Sequence, residues 1–162
     1  MSESVLQRGV PRDADLHCPS FSLLCPINEL RGARWGFRVG CRKGCEGVTA
    51  DYSLRADGNI DVLNRCRKPG GKVSEARGLA KVVDGTTNAK LKVSFFGPFY
   101  GDYWALDHAD DYSWSIVGEA SGSYLWILDR QATPTQAEVQ KLTDRARSLG
   151  YDTSMLRRTR QP

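Results

Sequence analysis

Between Lys90 and Asp107 the chain alternates so regularly that few structures other than a sheet can absorb it. Leu91, Val93 and Phe95 are interleaved with Lys90, Lys92 and Ser94, the period-two pattern of a strand with one apolar and one wet face. Gly97-Pro98 breaks the ladder, because proline has no N–H to donate and glycine admits dihedrals that other residues avoid. A second run, Tyr103 to Asp107, restarts at once. Phe95, Phe96, Phe99, Tyr100, Tyr103 and Trp104 crowd this corner and suit either a packed core or the lining of a cavity.

The same period recurs on both sides. Val48, Ala50, Tyr52 and Leu54 alternate with Thr49, Asp51, Ser53 and Arg55, and Ile60 and Val62 resume after Ala56-Asp57-Gly58. A three-residue loop with Gly58 left-handed places Leu54 opposite Ile60 and Tyr52 opposite Val62, and that register continues to Cys66 opposite Val48. A strand over roughly 73–83 carries Ala76, Gly78 and Ala80, small residues that either leave room inside or face bulky neighbours. Asp84 to Asn88 turns the chain, and further strands are expected over Ser113 to Val117 and Tyr124 to Arg130. One helix follows, with Thr133 as cap, Pro134 at the first helical position and Gln136 completing a capping box. Val139, Leu142, Ala146 and Leu149 form its apolar stripe and Gly150 its stop, before a short strand or extended tail at Met155 and Leu156. Closely spaced strands followed by a single helix favour an all-β antiparallel barrel over an alternating α/β fold.

At 162 residues the chain fits one domain, and no window approaches the roughly 18 to 20 apolar residues of a membrane helix. Five cysteines without a Cys-x-x-Cys element, and histidines only at His17 and His108, argue against a zinc site; no metal or cofactor is expected. Gly-x-Ser-x-Gly, His-Glu-x-x-His and phosphate-loop signatures are all missing, and His108 sits in an acidic turn beside Asp107 and Asp110, so an enzyme is not expected. A net charge of +4 raises nucleic acid as a partner, but Lys90 and Lys92 sit opposite the apolar residues they alternate with, and that partner is set aside. Arg157, Arg158 and Arg160 form either a solvated tail or a contact for anionic lipid headgroups at a membrane surface.

Val93-Ser-Phe-Phe-Gly-Pro-Phe-Tyr-Gly-Asp-Tyr-Trp104 and Tyr124-Leu-Trp-Ile-Leu-Asp-Arg130 closely resemble the bacterial lipocalins, the outer-membrane lipoprotein group related to apolipoprotein D. The resemblance runs from about Gly44 to the end. It implies an eight-stranded antiparallel up-and-down barrel with the helix packed outside, holding a fatty acid or lysophospholipid for storage or transport. Tyr52, Phe95, Tyr103, Trp104, Trp114 and Trp126 are the aromatics expected around or near such a pocket. Asp110-Asp111-Tyr112 resembles the family's second motif, and Arg130 matches an arginine that packs over the opening-strand tryptophan, here Trp35.

The start of the chain departs from that pattern. Ala33-Arg34-Trp35 is the nearest match to the family's Gly-x-Trp, and Trp35, Phe37, Val39 and Cys41 alternate well enough for a first strand; the rival is an altered start that enters the family frame near Gly44. Residues 1–30 read as an irregular segment before a domain at 31–162. Met1 to Leu30 lacks the features of a signal peptide, and Leu24 and His17, not small residues, precede Cys25 and Cys18. The segment as written points to the cytoplasm, whereas the resemblance implies periplasm or outer membrane, with a monomer or homodimer expected. Cys45 and Cys66 are candidates for a disulfide, which requires a bulge before Val48 and implies an oxidising compartment; a free, inward Cys66 would instead be the one opening for barrel catalysis.

Overall fold

The computed structural model describes residues 21–26, 46–83, 89–154 and 156–158. Strands β1 (Phe21–Pro26), β2 (Glu46–Leu54), β3 (Ile60–Arg67), β4 (Val73–Val82), β5 (Lys90–Phe96), β6 (Phe99–His108), β7 (Trp114–Gly118), β8 (Leu125–Asp129) and β9 (Leu156–Arg158) share one antiparallel sheet, with helix α1 (Gln136–Ser148) between the last two. From β2 to β8 each strand pairs with the next in the chain, so the sheet is an up-and-down meander. It curls until β1 bridges its edges, Ser22 lying opposite both Thr49 of β2 and Asp129 of β8.

The β2–β3 hairpin has the register expected from alternation: Leu54 faces Ile60, Tyr52 faces Val62 and Val48 faces Cys66. Gly58, at φ 79°, donates to the Arg55 carbonyl at 3.0 Å, and Asp57 Oδ1 accepts from the Asn59 N–H at 3.0 Å. The ladder slips between Glu46 and Val48, where a Cys45–Cys66 bridge calls for a bulge. Gly97-Pro98 is the break between β5 and β6, but β6 begins at Phe99, ahead of the Tyr103 expected for it. Phe96 and Phe99 pair directly across the two-residue turn, which leaves no gap for a longer loop.

Small residues on β4 have different fates. A Cβ on Gly78 would meet the Phe95 ring and the Ser94 carbonyl oxygen at 2.8 Å, so the room made there is filled by the protein's own phenylalanine. Ala80, fully buried, packs with Ile60, Val62 and Val93.

Opposite faces of the same strands make two apolar layers, because successive side chains point to opposite sides. Val117 and Leu128 point inward with Tyr52, Tyr103 and Trp126, while Ile116, Leu125 and Ile127 point outward against Leu142 and Ala146 of α1. Val139 and Leu149 complete the expected stripe on that helix. Its cap is Thr135, two residues later than Thr133: Thr135 Oγ1 accepts from the Glu138 N–H at 3.2 Å, and Glu138 supplies the first-turn acid. Thr135 with Glu138 at the third position is the better capping pair, so Pro134 precedes the cap. Gly150, at φ 93°, follows the last turn.

In the N-terminal region, Phe21–Pro26 is extended and paired, inside the segment expected to be irregular. An apolar run of this kind gains partners only where two sheet edges are free to take it, which is a tertiary circumstance. The first strand expected over Trp35 to Cys41, Trp35 and Cys45 themselves, the Asp84 to Asn88 turn and Arg160 lie outside the described residues.

Candidate functional site

Four aromatic side chains from three regions of the sheet form a row. Tyr52 on β2 and Tyr103 on β6 are distant in strand order, yet their hydroxyl oxygens are 2.5 Å apart. Their ring centroids are 6.3 Å apart and tilted by 50°. Tyr103 stacks on Trp126 of β8 at 5.9 Å and 29°, and Trp126 stacks on Tyr124 at 5.8 Å and 9°. The row therefore spans the interior from one wall to the other. Burial pushes the Tyr103 hydroxyl well above the ordinary tyrosine pKa, and the neighbouring Tyr52 adds to the effect.

Phe95 joins the inner layer over Gly78, beside Val93 and Leu91. Of the six aromatics expected around a pocket, Tyr52, Phe95, Tyr103 and Trp126 thus converge. The other two face away: Trp104 carries the Lys90 ammonium 5.0 Å from its ring centroid on the outer side, and Trp114 packs in the layer beneath α1.

Asn64 is a residue that the aromatic count overlooks. It lies on β3 between Ala50 of β2 and Ala76 of β4, and its Oδ1 is buried with no hydrogen-bond partner among the described residues. An acceptor left dry and unpaired costs about 1–3 kcal/mol, and a ligand hydroxyl or amide could satisfy it. The signal was in the hairpin register: Asn64 holds the same parity as Val62 and Cys66, a polar residue at an inward position.

The resemblance motifs occupy the end of the barrel where β6 turns into β7. Tyr112 adopts φ 56° in that turn, Asp111 Oδ1 accepts from the Ser113 N–H at 3.0 Å, and Arg130 Nε donates to the Tyr112 carbonyl at 2.7 Å. The turn pulls the Asp111 carboxyl below its usual range, chiefly through the Ser113 bonds. Asp111, Tyr112 and Arg130 are brought together, and Arg130 holds the turn closed. Among the C-terminal arginines, Arg158 donates to the Pro134 carbonyl at 2.8 Å and fastens the entry to α1.

Cys66 is disulfide-bonded, its partner not being among the residues whose side chains are described. A bonded sulfur has no thiolate to offer, which removes the thiol that a catalytic reading of the barrel required. A cleft of about 750 Å³ lies on the outer side, between α1 and the β6–β7 end. Its opposed charges largely neutralise one another, as in the Arg145–Asp107 pair at 2.6 Å. Among the described residues no group of three or more His, Cys, Asp or Glu could hold a metal ion.

A family model described as a lipocalin-like domain matches residues 33–161. The chain is 42% identical over 117 residues to the outer membrane lipoprotein Blc of Vibrio cholerae, covering 70% of this chain and 68% of that protein. To Blc of Escherichia coli K12 it is 39% identical over 121 residues, covering 74% and 68%. Lobster apocrustacyanin A1 superposes with a TM-score of 0.67 at 14% identity, covering 98% of this chain and 84% of that one, a likeness of fold alone.

Proposed function

The chain belongs to the lipocalin family, and from that membership we propose that it binds and carries a small hydrophobic ligand, a fatty acid or lysophospholipid, inside the barrel. The observation that carries the reading is the inner aromatic row of Tyr52, Tyr103, Trp126 and Tyr124, which offers flat apolar faces with hydroxyls only at defined points. The two relatives named outer membrane lipoproteins support an envelope setting.

Burying an acyl chain of about 16 methylenes at about 0.8 kcal/mol each yields roughly 12 kcal/mol gross. Association offsets about 4 kcal/mol of this, which leaves an affinity of about micromolar. Between the two ligand classes, the unpartnered Asn64 acceptor favours the one with a donor to give. A lysophospholipid has a free glycerol hydroxyl; an ionised carboxylate has none.

Fluorescence titration with a lysophospholipid tests the proposal. Emission should change saturably at micromolar concentration, and the change should vanish in Trp126→Phe while surviving in Trp104→Phe and Trp114→Phe. A wild-type protein with no saturable change, and no displacement of a bound fluorescent lipid, would refute ligand binding in the barrel.

A further inference from the structure

We propose that the barrel end formed by the β3–β4 and β5–β6 turns is a docking surface for an anionic lipid membrane. Phe96 and Phe99 face each other across the β5–β6 turn and remain 66% and 60% exposed. Val73, at the start of β4 and the same end of the sheet, is 45% exposed. Large apolar side chains at a hairpin tip cost solvation unless something apolar receives them, and an acyl boundary accepts a wedge of this size.

Charge around the tip selects the kind of surface. Arg67, Lys68 and Lys72 flank the adjoining turn, and none forms an ion pair among the described residues. The nearby acid Glu119 is turned into its own β7–β8 turn, accepting from the N–H groups of Ser121, Ser123 and Tyr124. Behind the tip, on the outer face of β4 to β6, Lys81 lies 4.9 Å from the ring centroid of Tyr100, the neighbour of Phe99. An amphipathic aromatic beside an ammonium group suits the headgroup layer, where rings sit between wet and dry. An apolar wedge with a basic collar supplies the two signals that stable attachment to an anionic leaflet requires.

The proposal is independent of what the interior holds. The full chain, stripped of bound lipid, should float with vesicles of phosphatidylcholine mixed with phosphatidylglycerol, not with phosphatidylcholine alone, and added salt should release it. Phe96→Ser with Phe99→Ser should lower partitioning about tenfold or more. Lys68→Glu with Lys72→Glu should remove the preference for the anionic lipid while leaving the melting temperature unchanged, so that a loss cannot be assigned to misfolding. No flotation on anionic vesicles, equal flotation by both double variants and the parent, or tighter binding to a single-stranded oligonucleotide than to the vesicles at the same salt would each overturn the docking surface.

Discussion

Tyr103 holds its proton more tightly when folded than when unfolded, because the hydroxyl is buried and shares a hydrogen bond with Tyr52. Below the ordinary tyrosine pKa of 10.0 both states are protonated and this contribution to stability is fully present. As pH rises past that value the unfolded chain releases the proton first, and stability falls until the folded pKa is reached. Urea melts on either side of pH 10.0 should show the fall, and Tyr103→Phe should flatten it; an unchanged slope in the variant would place the dependence elsewhere. At this scale the sequence shows the aromatic residue types but not which way they face. Counting by twos through β5 and β6 fails at two irregularities, between Val93 and Phe96 and between Ala105 and Asp107. Each inserts a residue into one strand and shifts the parity beyond it. Trp114 lies beyond the second irregularity and belongs to the opposite side from Trp126; Trp104 follows Tyr103 directly, so alternation alone already turns it outward, and grouping the two by residue type overlooks that parity.

Strands and helix were more legible than side-chain direction, because an element averages over its residues. The β2–β3 register followed from alternation and one glycine. The apolar stripe of α1 was read from its spacing, and only its cap moved, from Thr133 to Thr135. Less legible was the meaning of glycine on β4, since an open space and a space taken by a neighbouring ring leave the same letter. With Phe95 seated over Gly78, Gly78→Ala should destabilise the fold by about 1–3 kcal/mol, the cost of overpacking a filled site. Chemical denaturation measures this directly, and a neutral substitution would mean that the Phe95 ring and the Ser94 carbonyl move aside at no cost.

For the whole molecule, the disulfide at Cys66 ties β3 to another part of the chain. Reduction should cost about 2–4 kcal/mol and lower the melting temperature, a change that a thermal scan with and without dithiothreitol will detect. Equal melting curves would mean that the fold does not draw on the bridge. Barrel closure was the least legible feature at this scale. Phe21-Ser-Leu-Leu-Cys25 is apolar without a period of two, and only the two free edges of the meander give it a place. That closure also sets an order of assembly. From β2 to β8 each ladder joins strands that follow one another in the chain, so each can zip as a local hairpin. The seam cannot: Leu23 must find Leu128, across about two thirds of the chain, and closing so long a loop gains little until the intervening sheet is built. During synthesis β1 can meet β2 early, but its ladder with β8 is the last of the barrel to form, so one backbone edge stays open until β8 arrives.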